Sequence, residues 1–359
     1  MSTHLRTGSG YPGEDIGPVV ATHHRDQILE WVARLGAQNP RVVLADGDDQ
    51  RATAAAAWLV ENTTVRPVLI RTSGEVQPAI PGGLDISMLE TRDAAALCAD
   101  PQILASLRSC PDGTSRPEQE LATMAADPVY LGAAMVSAGC ASACVAGATR
   151  PTADVLRAAL KVIGLSTGAS TVSSSFLMVF PDGRRMGYGD CAVIPTPDER
   201  QLAQIAVDTA HTYQQLSGIS PVVAMLSFST MGSAEHPEVD LVRAATAIAR
   251  DLQPDLCVDG ELQFDAAIVE SIGRVKAAGS PVAGRANVLV FPTLSAGNIG
   301  YKMSERLAGA AAFGPILQGL AAPMNDLSRG CSASDIVSVA LLSAVQSLRL
   351  GEPGEQKKH

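Results

Sequence analysis

Short all-apolar runs alternate along this chain with longer stretches in which apolar residues return every third or fourth position. Arg41-Val42-Val43-Leu44-Ala45 and Val65-Arg66-Pro67-Val68-Leu69-Ile70 are of the first kind and predict strands. Residues 26–35 and 52–59 are of the second kind and predict helices. Strand, helix and strand at this pitch predict a parallel sheet with helical crossovers. Further strands are predicted over 145–147, 173–180, 222–226, 256–258 and 288–291, and helices over 199–217, 237–251 and 299–312. Residues 1 to about 23 predict a flexible lead, and the Gly/Pro-rich stretch 311–323 predicts a break before the last helix.

Past that break the chain reads Asn325-Asp326-Leu327-Ser328-Arg329-Gly330-Cys331-Ser332, then Asp335 and an apolar run over 336–342. Ser332 with Asp335 three positions later is a capping-box pattern at a helix N-terminus. The same segment carries a hydroxyl (Ser328), a fixed positive charge (Arg329) and a carboxylate (Asp335). A guanidinium suits two-pronged binding of phosphate, a hydroxyl can donate to a developing oxyanion, and a carboxylate can remove a proton. The set fits acyl transfer to or from phosphate. Both readings are compatible, because a helix N-terminus itself favours phosphate.

Other candidates are more ambiguous. Gly297 and Asn298 precede the helix predicted from 299; they offer donors to an anion, or Asn298 is its N-cap. Ser174, within Ser173-Ser174-Ser175, lines a cleft or satisfies backbone groups. Arg157 lies in a helix opened after the strand near Val145, and by pattern alone it reads as a solvated helix-face arginine. Cys331 beside Arg329 is a candidate for a lowered pKa, or a small packing residue. The six histidines form no cluster, which disfavours a histidine-activated nucleophile.

The length, 359 residues, suits two domains. With 46% hydrophobic and 18% charged residues, the composition is that of a packed globular enzyme and not of a disordered chain. A formal net charge of −10 disfavours general nucleic-acid binding, while leaving room for a local basic pocket. No stretch approaches the roughly twenty apolar residues of a membrane helix, and residues 1–15 lack the apolar core of a signal peptide. Seven scattered cysteines make no disulfide framework, and no metal-ligand spacing is present. A cytoplasmic protein is expected.

The segment from Asn325 to Val337 resembles the C-terminal signature of the phosphate acetyltransferases, within the phosphate acetyl/butyryltransferase family. Phe291-Pro292-Thr293-Leu294-Ser295-Ala296-Gly297-Asn298-Ile299-Gly300-Tyr301-Lys302 resembles a second block of that family. Asp127-Pro128-Val129-Tyr130-Leu131-Gly132, Thr152-Ala153-Asp154-Val155-Leu156-Arg157 and Ser173-Ser174-Ser175-Phe176-Leu177-Met178 resemble three more, in the family's order. The likeness runs from about 107 to 348. It departs after Arg108, where the family's usual Lys-Gly is Ser109-Cys110 here, and Ala158 replaces a common proline.

The resemblance implies a two-domain α/β/α fold with parallel-type sheets, similar to isocitrate and isopropylmalate dehydrogenases, with the active site in the interdomain cleft. Domain one would comprise 1–165 and 314–359, and domain two 166–313. The implied reaction is reversible acetyl transfer between acetyl phosphate and coenzyme A, with butyryl or propionyl transfer as the alternative. Asp335 would take the thiol proton, Ser328 would steady the thiol or oxyanion, and Arg329 would hold the phosphoryl group. Arg157 and Arg108 would bind coenzyme A or the acyl phosphate. Coenzyme A is a substrate, no metal or redox cofactor is expected, and a homodimer through domain two is implied. A nicotinamide-dependent dehydrogenase of the same fold is disfavoured because no Gly-x-Gly-x-x-Gly follows the first strand. A non-catalytic relative is disfavoured by the intact Ser328, Arg329 and Asp335.

Overall fold

Two sheets organise the chain, whose computed structural model describes residues 18–72 and 89–348. The predicted lead lies outside the described residues up to 17; from there a helix runs over Pro18–Leu35. The first sheet is wholly parallel. Its strands are β1 (Arg41–Leu44), β2 (Arg66–Arg71), β3 (Glu90–Asp93), β4 (Ala143–Ala146) and β11 (Met324–Asp326), in the order β11-β4-β1-β2-β3. The second has the order β10-β5-β6-β9-β7-β8. It is built from β5 (Ser173–Val179), β6 (Arg185–Gly189), β7 (Val222–Leu226), β8 (Cys257–Leu262), β9 (Val288–Val290) and β10 (Ala311–Gln318).

The expected parallel pairing describes the first sheet and β6, β9, β7 and β8 of the second, whereas β10, β5 and β6 pair antiparallel. The cause is local. The turn between β5 and β6 is closed by a hydrogen bond from Phe180 N to Arg184 O at 2.8 Å, with Gly183 at φ +84°. A connection that short can only make a hairpin, since a parallel crossover needs a dozen or more residues. Glycine meets the positive φ without strain.

The break predicted over 311–323 is corrected by the structure: its first part is β10. Glycine and proline are tolerated there because β10 is an edge strand with a bulge between Phe313 and Ile316, where Pro315 need not donate to a ladder. The chain then crosses from one sheet to the other over 319–323 and enters β11.

Asn325, fully buried in β11, fastens that crossing. Its Oδ1 accepts from Leu317 N of β10 at 2.8 Å, and its Nδ2 donates to Ser343 Oγ at 2.8 Å and to Gln346 Oε1 at 2.6 Å. The latter two belong to the last helix, Ala333–Gln346, which is buried along almost its whole length from Ile336 to Val345. A helix apolar on every side belongs in a core. It packs against the helices Gln50–Asn62 and Glu199–Ser217, so one apolar cluster joins residues of both sheets.

Asn325→Ala should therefore lower stability by about 2–4 kcal/mol, since it strands three polar partners, of which Leu317 N and Ser343 Oγ are buried and Gln346 is half-buried. Urea unfolding measures this; a loss below about 0.5 kcal/mol would show that the amide does not hold the crossing.

Candidate active site

Three loops leave the carboxyl ends of neighbouring parallel strands and converge. They are 45–49 after β1, 147–151 after β4 and 327–331 after β11. The strand order reverses between β1 and β4, the position where open α/β sheets form a crevice. Asp46 joins the first two loops, accepting from Gly147 N at 2.9 Å and Ala148 N at 3.1 Å. Gly147, at φ +111°, lets the third loop lie close: a side chain there would overlap the Asp326 carboxyl and the Leu327 backbone.

A cavity of about 390 Å³ opens beside the third loop. Ser328, Gly330 and Asp335 line it, and the helix Leu294–Ala308 adds Lys302, Arg306 and Glu305, the last ion-paired with Arg306 at 3.5 Å. Phe176 and Tyr301, stacked with ring centroids 4.1 Å apart, add an apolar surface. His24 also borders the cavity, its Nε2 3.0 Å from Ser338 Oγ. Burial pushes this imidazole down to about 4, against an opposing pull from Asp335, so it is neutral near pH 7.

The capping reading of the Ser332–Asp335 pair holds, and the geometry is compatible with the catalytic one. Ser332 caps the last helix, and Asp335 Oδ2 accepts from Ser332 N at 2.8 Å and Ser332 Oγ at 2.9 Å. Asp335 Oδ1 accepts no hydrogen bond among the described residues, and the carboxylate is exposed at the cavity. A cap thus fixes one oxygen and leaves the other for chemistry. Arg329 is exposed between Ser328 and Gly330, and its guanidinium forms no ion pair among the described residues. Cys331 is buried, and its thiol is pushed up to about 11 by burial, not lowered; the packing reading fits it.

The remaining sequence candidates fall elsewhere. Arg157, at the end of the helix Thr152–Ala158, pairs with Asp154 at 2.7 Å, and Arg108 pairs with Glu118 at 2.9 Å. Neither lines the cavity, and both pairs are exposed, so each guanidinium can change partner at little cost. Buried Arg116 ties their segments together, donating to Leu107 O and Lys161 O. Ser174 has 0% exposure; its hydroxyl donates to Asp190, and the cleft-lining alternative gives way to the structural one. Gly297 and Asn298 do not precede a helix. They lie inside Leu294–Ala308, whose N-cap is Thr293. A side chain at Gly297 would overlap the Asp190 carbonyl, and Asn298 Nδ2 donates to Cys191 O at 3.1 Å. Both therefore dock this helix on the loop after β6.

Lys302, Arg306 and His24 were not singled out by sequence pattern. The signal was available only for Lys302, inside a matched block; the others are brought in by packing.

Comparison with known proteins agrees with this geometry. The family described as phosphate acetyl/butaryl transferase matches residues 25–344. A phosphate acetyltransferase of Thermoanaerobacterium thermosaccharolyticum is 43% identical over 325 residues, covering 89% of this chain and 99% of its own. A crystal structure of a phosphotransacetylase from Streptococcus pyogenes superposes with a TM-score of 0.83 at 40% identity, covering 90% of this chain and 98% of that one. A phosphotransacetylase from Staphylococcus aureus gives 0.82 at 38%, covering 90% and 99%. The fold and site define an α/β acyltransferase. The chain belongs to the phosphate acetyl/butaryl transferase family.

One carboxyl at the cavity is out of the ordinary. Asp326 is 2% exposed; Thr152 Oγ1 donates to its Oδ2 at 2.5 Å, while Oδ1 has no partner. Burial raises its pKa to about 6, despite the Thr152 bond. A carboxyl raised above its unfolded value of about 3.9 favours the fold while protonated, and that contribution is lost as pH rises from about 4 to 6. Asp326→Asn should therefore gain stability relative to the wild type as pH rises across this window, with a plateau above it. Denaturant midpoints of both proteins from pH 4 to 7.5 measure the difference; one that stays constant or falls would contradict the assignment.

Proposed function

We propose that the protein catalyses acetyl phosphate + coenzyme A = acetyl-coenzyme A + phosphate, by direct transfer with both substrates bound. The observation that carries this reading is that Ser328 and Asp335 line one cavity with Lys302 and Arg306, in a chain of this family. The phosphate acetyltransferase and phosphotransacetylase relatives support acetyl as the group moved.

In this mechanism Asp335 Oδ1 takes the coenzyme A thiol proton. The thiolate attacks the acetyl carbonyl, the carbonyl oxygen collects charge beside Ser328, and the carbon–oxygen bond to phosphate then breaks. The electron pair leaves with the phosphate, which Arg329, Lys302 and Arg306 hold. A thiol with pKa near 8.5 needs only modest help to ionise, so a carboxylate base is sufficient. Holding two substrates in line and neutralising phosphate charge supply most of the acceleration. Arg157 and Arg108, in weak exposed pairs, are available to the phosphates of coenzyme A. Coenzyme A is a substrate in this scheme, and no step uses a metal or redox cofactor.

The proposal includes a cytoplasmic homodimer and a division into two domains, 1–165 with the C-terminal part and 166–313, the two sheets being its basis. The pairing of β10 with β5 through Gln318 supports a return over 319–323 in place of the expected 314.

Purified protein mixed with acetyl phosphate and coenzyme A should show thioester absorbance; no signal with any acyl phosphate up to butyryl would refute the transferase reading. Asp335→Asn should lower turnover by on the order of a hundred- to ten-thousand-fold and recover partly at high pH, where coenzyme A ionises unaided. Arg329→Ala should instead raise KM for acetyl phosphate and lower kcat together. Near-normal turnover of Asp335→Asn at neutral pH would reduce Asp335 to a helix cap.

A further inference from the structure

Arg51, at the start of the helix Gln50–Asn62, is engaged by all three loops of the site. Its Nε and Nη2 donate to the two Asp49 oxygens at 3.0 and 2.7 Å, in the loop after β1. Nη2 also donates to Ala148 O at 2.9 Å, in the loop after β4. Nη1 donates to Arg329 O at 2.9 Å and Cys331 O at 2.8 Å, in the loop after β11. Within that last loop only two bonds are local: Cys331 N to Ser328 O at 2.9 Å and Gly330 N to Ser328 Oγ at 3.3 Å. Among the described residues, Arg51 supplies the hydrogen bonds that reach residues 329 and 331 from another part of the fold.

We propose that Arg51 is a positioning residue of the active site, holding the backbone on both sides of Gly330 so that Ser328 and Gly330 keep their placement at the cavity and Arg329 stays beside it. This rests on the acyl-transfer reading for its kinetic consequence but not for its geometry. Three features fit the role. The Arg51 side chain is 32% exposed, so it braces a surface loop and not a core. Asp49 neutralises it and holds its plane, and this pairing raises the guanidinium's proton affinity, so the clamp stays charged at every working pH. Finally, carbonyls of two loops and a carboxylate are met at once by a planar fork of five donors, which lysine cannot reproduce.

Two readouts test it. Trypsin cleaves after arginine, and Arg329–Gly330 lies in the clamped, exposed loop. Arg51→Ala should speed cleavage of that bond about tenfold or more while melting within a few degrees of the wild type. In the thioester assay, kcat should fall about 10–100-fold, the scale of a misplacement near 1 Å, with a smaller change in KM. Millimolar guanidinium should restore part of the turnover of Arg51→Ala, whereas Arg51→Lys should remain impaired. Unchanged cleavage at Arg329–Gly330 would overturn the clamp even if the wild type proved inactive in the assay. A kcat loss that guanidinium does not relieve, and that tracks a lowered melting temperature, would reduce Arg51 to a stability role. An inactive wild type with accelerated cleavage in the variant would keep the clamp and reject the acyl-transfer reading.

Discussion

Asn325 sits where two sheets, the last helix and the loop at 327–331 meet, and the placement of that loop beside the cavity follows from the side chain's three hydrogen bonds. A buried amide with every bond met fixes geometry in a way that apolar packing does not, because each partner lies in one direction only. Leu317 N sets the spacing of β10 from β11, while Ser343 and Gln346 set the last helix against β11. The next residues, Asp326 to Ser328, therefore emerge at the carboxyl end of the first sheet, beside the loops after β1 and β4.

From that point the site is shaped by competition for polar groups. Asp335 gives one oxygen to the helix cap and keeps the other exposed. Asp326, two residues before Ser328, is buried, and burial pushes its carboxyl up to about 6. Lys302 and Arg306 arrive from a helix of the second sheet's layer, docked by Gly297 against the Asp190 backbone. One cavity thus brings an exposed carboxylate, Asp335, together with Lys302, Arg306 and Glu305, so charges of both signs border it.

Much of this was legible in the chain. The helix over 199–217 was predicted at its observed bounds, and the capping box at Ser332 and Asp335 was read correctly, because caps and helical periodicity are local properties. The matched blocks point to Ser328, Arg329 and Asp335 because all three lie within one short segment. Strand β10 was missed because Gly314 and Pro315 look like a break until one knows that they lie on an edge strand, at a bulge. The helix holding Gly297 and Asn298 was begun too late, since both residues favour helix ends by propensity and only the neighbouring Asp190 backbone makes glycine a packing requirement inside the helix.

What the sequence determined by itself was the α/β alternation, the capped polar segment before the last helix and the family to which the chain belongs. Each depends on residues within a few positions of one another, where spacing along the chain and spacing in space are nearly the same thing. The tertiary structure decided the rest. Arg51 is 278 positions from Arg329, and Lys302 and Arg306 reach the cavity from the other sheet's layer. No periodicity encodes such meetings. They arise from strand order and from the crossing at 319–323, where one buried amide makes distant segments neighbours.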